Sequence, residues 1–172
     1  DTNLKRFNKV FRRSNLLTLI DALDPSILNS KMTVKIQNNF LPTLNQGLEY
    51  IINYPVKIAD PDDVNTIVSS SNFTFNGQNC VIKNLLSSNI LQIVSTTGAV
   101  LTNNIGNYDT NAGRVTLTGF KPSAFQGSNI KISVVPANQS TIRPLRNFVI
   151  DIDTDVSVSS AILDFQNTQT TL

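Results

Sequence analysis

Residues 105–153 read IGNYDTNAGRVTLTGFKPSAFQGSNIKISVVPANQSTIRPLRNFVIDID, and two alternations within them decide the fold class. In Arg114-Val115-Thr116-Leu117-Thr118 and in Ile130-Lys131-Ile132-Ser133-Val134, apolar and polar residues change places at every step. Successive side chains of a strand point to opposite faces, so each segment sets one face in a core and the other toward water. Both segments are expected to be strands. Asp109-Thr110-Asn111-Ala112-Gly113 and Gln126-Gly127-Ser128-Asn129 supply residues that accept positive φ or bond their own backbone, so the chain reverses at each. Two reversals over so short a span predict an antiparallel sheet.

Working outward, Phe148, Ile150 and Ile152 share one face of a closing strand, with Asp151 and Asp153 opposite. The polar tail from Gln166 to Leu172 is expected to fray. Upstream, Ile90 to Val94, a turn at Thr97-Gly98, and Val100-Leu101 continue the β pattern. Phe73-Thr74-Phe75 and Val81-Ile82 flank Asn76-Gly77, the residue pair a tight hairpin favours. Pro55 and Asp60-Pro61-Asp62-Asp63 interrupt regular structure, which divides the chain into 1–59 and 60–172.

Before that interruption, Met32, Val34 and Ile36 alternate with Thr33, Lys35 and Gln37, and Tyr50, Ile52 and Tyr54 repeat the pattern. These two strands are expected to be neighbours. From Thr2 to Phe11, Leu4, Phe7 and Phe11 recur at helical spacing, opposite Lys5, Arg6, Lys9, Arg12 and Arg13. Ser14 offers a cap for a second helical run, Asn15 to Leu23, which Asp24-Pro25 stops. The fold class is α+β, mainly β, with short N-terminal helices followed by antiparallel strands in a sandwich-like body.

At 172 residues the chain can bury roughly 70% of its unfolded surface, enough for a core without staples. Its hydrophobic fraction of 40% is ordinary, whereas 15% charged is low, with Asn, Ser, Thr and Gln making up the difference. Neutral polar surfaces are covered by a partner at smaller cost than charged ones. Low charge therefore suits an assembly component, or reflects the habit of a source genome. With 14 basic and 12 acidic residues the net charge is +2, and no global field favours nucleic acid. Cys80 is the only cysteine, which forbids an intrachain disulfide and fits a reducing compartment. No apolar run approaches the roughly 20 residues of a spanning helix. A first residue of Asp suggests an excerpt of a longer chain.

Histidine is absent, which removes the commonest general base and the commonest nitrogen ligand for metals. Asp151-x-Asp153-x-Asp155 opens like a calcium loop, but Val156 and Ile162 stand where the turn glycine and the bidentate glutamate belong. Asp60, Asp62 and Asp63 surround Pro61 and read as a solvated turn before they read as a cation site. Asn72 and Asn138 match the glycosylation pattern by coincidence of an Asn- and Ser-rich composition. No catalytic, cofactor or metal site is expected. Ten residues of isolated helix cannot bury Leu4, Phe7 and Phe11, which need the sandwich or a second subunit. Arg143 and Arg146 flank Pro144; a guanidinium there either forks onto a carboxylate across a subunit boundary or lies on the surface beside a turn.

FRRSNLLTLIDALDPSILNSKMTVKIQ near the start resembles the C-terminal region of the baseplate wedge proteins of T-even-type, contractile-tailed bacteriophages. So do GNYDTNAGRVTLTGF and IKISVVPANQSTIRPLRNFVIDID near the end, in the same order over most of the chain. The resemblance implies a non-enzymatic virion protein assembled in the host cytoplasm. It implies a homodimer that joins other wedge proteins, links neighbouring wedges into the ring around the hub, and takes part in triggering sheath contraction. No cofactor, nucleic acid, membrane or small-molecule substrate is expected from the residues. The candidate interface residues are Leu4, Phe7, Phe11, Arg12, Arg13, Arg143 and Arg146. A receptor- or glycan-binding β-module is the alternative, and an enzyme built on carboxylates alone a third reading.

Overall fold

The computed structural model describes residues 11–25, 27 and 30–142. The chain is mainly β, its strands all paired antiparallel, with one short helix among the described residues. The order is β1 (Phe11–Arg12), α1 (Arg13–Asp21), β2 (Ile36–Phe40), β3 (Leu48–Asn53), β4 (Val68–Ser70), β5 (Phe73–Phe75) and β6 (Gln78–Asn84). Then come β7 (Leu91–Ser95), β8 (Val100–Thr102), β9 (Gly106–Asp109), β10 (Arg114–Phe120), β11 (Ala124–Phe125), β12 (Ile130–Val134) and β13 (Thr141–Ile142).

The two alternating segments are strands β10 and β12, as expected, but they belong to different sheets. A three-stranded sheet runs β3-β10-β9, and an eight-stranded one runs β11-β5-β6-β4-β12-β2, with β7 on β6 and β8 on β7. The Asp109 to Gly113 reversal makes a true hairpin, with Arg114 opposite Asp109 and Val115 opposite Tyr108. The second reversal does not pair β10 with β12. After Phe120 the chain crosses over, β11 pairs with β5, and Gly127 at φ 77° turns it into β12.

Alternation also misplaces the first strand. Residues 31–35 are not in a strand, because Val135, which would continue the ladder, turns away to bond Ala59 and Ile67. Side chains hold that stretch instead: Arg13 Nη1 donates to Met32 O and Gln139 Oε1 accepts from Val34 N, both at 3.3 Å. Nor are β2 and β3 ladder partners; β2 pairs with β12 and β3 with β10. They meet through side chains, the Phe40 and Tyr50 rings 5.2 Å apart and Asn38 Nδ2 donating to Asn53 O at 3.2 Å.

The core takes side chains from both sheets. Ile52, Val115 and Leu117 from the smaller, with Tyr54 just past β3, join Val68, Ile82, Ile93 and Ile132 from the larger in one buried cluster. Phe120 lies 5.1 Å from Phe73 and 6.1 Å from Phe40, edge-on and tilted contacts that suit aromatic quadrupoles. Residues on both sides of position 59 contribute to this cluster. Buried Asn84 and half-buried Ser70 complete the ladders where strands end. Asn84 Oδ1 accepts from Ile67 N at 2.8 Å and Val68 N at 3.0 Å, and Ser70 Oγ accepts from Ile82 N at 2.8 Å.

Of the plural helices of the sequence reading, the described residues contain one. Asn15 to Leu23 corresponds to α1, whereas Phe11, the end of the other expected helix, stands in β1, paired with Ile142. Residues 2–10, the closing strand at 148–152 and the tail at 166–172 lie outside the described residues.

Candidate interaction surface

Chain and helix come together at a clip. β1 pairs with β13, with Phe11 opposite Ile142 and Arg12 opposite Thr141, and Arg13 N donates to Ser140 O at 3.2 Å. The clip starts α1 abruptly: Arg12 is the extended residue before the first turn, and no side chain caps it. Ser14, the expected cap, is already helical, and its carbonyl accepts Thr18 Oγ1 at 3.0 Å. At the other end Ala22 N bonds Thr18 O and Leu23 N bonds Ile20 O, a tightened last turn before Asp24-Pro25.

This nine-residue helix has no buried residue. Leu16, Leu17 and Ile20 are half-buried, while Leu19 is 65% exposed and, just past the helix, Leu23 is 78% exposed. Isolated helices shorter than about 12 residues are marginal in water, and most helical stability comes from packing an apolar face. Leu19 on the helix and Leu23 just past its end leave apolar surface that a partner could cover.

Of the residues singled out in sequence, Arg12 is exposed and Arg13 half-buried, its guanidinium bonded to Met32 O. Phe11 is placed in β1 by its backbone. Leu4, Phe7, Arg143 and Arg146 lie outside the described residues. The apolar residues of α1 were visible in sequence as a helical run, but periodicity cannot tell a covered face from an uncovered one.

The acidic loop has a local role. Asp62 Oδ1 accepts from Val64 N at 2.7 Å and Asn65 N at 3.2 Å, and Oδ2 accepts from Asn65 Nδ2 at 2.7 Å. The Val64 amide first, then the Asn65 side chain, hold this carboxyl below its usual range. Among the described residues no three His, Cys, Asp or Glu side chains are grouped to hold a metal ion. Asp151, Asp153 and Asp155 lie outside them. No described helix is long and apolar enough to cross a membrane. No known protein family, curated protein or solved structure matches this chain.

Proposed function

We propose that this chain is a structural module of a contractile-tail baseplate wedge, acting by shape and contact and not by catalysis. In this reading the two sheets form a sandwich-like body that carries α1 and the β1–β13 clip on its outside. The observation that carries the reading is the uncovered apolar side of α1, with Leu19 and Leu23 in water. The low charged fraction adds to it, because amide and hydroxyl surfaces are covered at smaller desolvation cost. The order of motifs that resembles the wedge family supplies the biological setting: a virion protein that dimerises and joins companion wedge proteins into a ring.

A second copy is the occupant this reading assigns to α1, since an isologous contact lets one apolar stripe cover its own image. Sedimentation equilibrium of the purified chain tests it. A dimer is expected to appear as concentration rises, and co-expression with companion tail proteins is expected to retain the chain in a larger complex. A strictly monomeric species at high concentration, with no retention, would overturn the reading.

A further inference from the structure

The outer face of the eight-stranded sheet carries a different chemistry. Alternation turns Lys83 outward between buried Ile82 and Asn84, and Ser133 outward between buried Ile132 and Val134. Register then lines up Gln92, Lys83, Ser69, Ser133 and Gln37 in a single row across β7, β6, β4, β12 and β2. Lys35 reaches into that row, its Nζ donating to Ser69 Oγ at 3.2 Å, while Lys83 stands directly across the ladder from Ser69. One ammonium bonds the Ser69 hydroxyl, and the residue paired with Ser69 across the ladder carries a second. Burial first, and the Lys83 charge second, hold the Lys35 ammonium below the ordinary lysine range. Like charges held close together oppose folding, and the row itself contains no carboxylate to offset them.

We propose that this face docks an acidic segment of a partner protein, laid extended across the strands with carboxylates seated on Lys35 and Lys83. The remaining row residues are neutral amides and hydroxyls, which a polypeptide covers and bonds at little cost. A small anion would meet the two ammoniums from one side only and keep most of its hydration. A segment bearing several carboxylates makes its later contacts intramolecular and gains accordingly. Nucleic acid is the poorer fit, because the row has no aromatic ring for a base to stack on and the chain's net charge is only +2. The proposal is independent of α1 and its partner.

Fluorescence anisotropy with a labelled peptide of alternating aspartate and threonine, titrated with the full chain, tests this. Binding is expected to weaken about fivefold in Lys83→Gln and again in Lys35→Gln, the upper end for exposed ion pairs. It is expected to be unchanged in Lys121→Gln, which lies off this face, and to disappear by about 0.5 M salt, where screening is nearly complete. Lys83→Gln is expected to melt no lower than the parent chain, since it relieves a repulsion, so lost binding would not reflect unfolding. Unaltered affinity in Lys83→Gln would overturn the proposal. So would tighter binding of an oligonucleotide of equal charge, which would mark a general polyanion face.

Discussion

The phenol of Tyr54 donates a 2.8 Å hydrogen bond to the carbonyl oxygen of Ile132, joining the chain just past β3 to the middle of β12. Tyr54 lies in the core with the residues of both sheets, so this bond ties the three-stranded sheet to the eight-stranded one. Tyr54→Phe keeps the ring and removes the bond, at an expected cost of about 1 kcal/mol. Tyr108 offers the contrast: its buried hydroxyl has no partner among the described residues, so Tyr108→Phe removes a desolvated group with no loss of bonding to them. Denaturant titration is expected to rank Tyr108→Phe at or above the parent chain and Tyr54→Phe below it.

The same two phenols contribute a fall in stability at alkaline pH, beside the Cys80 thiol, which burial also pushes up. Burial pushes the Tyr54 phenol far above its ordinary value, and burial followed by the Asp60 charge pushes Tyr108 up to about 12. Both folded-state values exceed the unfolded value of about 10. The contribution is therefore fully present below pH ~10 and is lost as pH rises toward and beyond 12, because only the unfolded state releases these protons readily. Melting temperature is expected to hold through neutral pH and to fall above pH ~10. The fall should be shallower in Tyr54→Phe. A fall of equal steepness in the parent chain, Tyr54→Phe and Tyr108→Phe would show that other groups set it.

Gly113, just before β10, has φ +63°, and a Cβ there would run into the Val56 carbonyl oxygen and lie 2.9 Å from that of Tyr54. Backbone, not a flexible side chain, receives the clash. Gly113→Val therefore adds collision to left-handed strain, and a loss of about 3 kcal/mol or more is expected. Gly77 has φ +75° but open space around it, so Gly77→Ala incurs strain alone, about 1 kcal/mol. Equal melting of the two variants would show that the approach of residues 54–56 to this turn is wrong.

Turns were legible in the sequence because their chemistry is local. Asn76 and Gly77 take φ 49° and 75° in the β5–β6 hairpin, as that dipeptide predicts. Asp109 Oδ1 accepts from the amides of Asn111 and Ala112, bending the β9–β10 reversal from within. Ladder partners were not legible, because alternation fixes the face of each residue and not its neighbour strand. Hence β2 and β3 pair elsewhere, and β12 lies in the sheet opposite β10. The approach of Lys35 to Ser69 and Lys83 is a product of that pairing, and no spacing in the chain announces it. Arg12 in place of Ser14 before α1 has a similar cause: the β1–β13 pairing fixes where the helix starts.

Asn84 shows how a side chain finishes a sheet. The ladder between β4 and β6 has one registered pair, Ser69 with Lys83, and the amides of Ile67 and Val68 bond the Asn84 side-chain oxygen instead. Its Nδ2 donates to Leu85 O at 3.1 Å, so the buried amide is satisfied on both ends. Asn84→Ala leaves two buried backbone donors without an acceptor, each costing about 1–3 kcal/mol. A loss of roughly 3 kcal/mol in equilibrium unfolding is expected, allowing for relaxation of the neighbouring backbone. A loss under about 1 kcal/mol would mean that these amides find other partners.

Leu19 and Leu23 provide the sharpest test of assembly, because both can be changed without touching the core. Each is largely exposed, so Leu19→Gln and Leu23→Gln remove apolar surface while keeping a side chain that tolerates a helix. Burying a leucine contributes about 2 kcal/mol, and an isologous dimer carries each substitution twice, so each is expected to raise the dimer dissociation constant roughly a thousandfold. Circular dichroism and melting temperature should stay close to those of the parent chain, since neither residue belongs to the buried cluster. The double variant should sediment as a monomer at concentrations where the parent is dimeric. A dimer that survives both substitutions would move the contact away from α1, toward the strands of the β1–β13 clip or beyond.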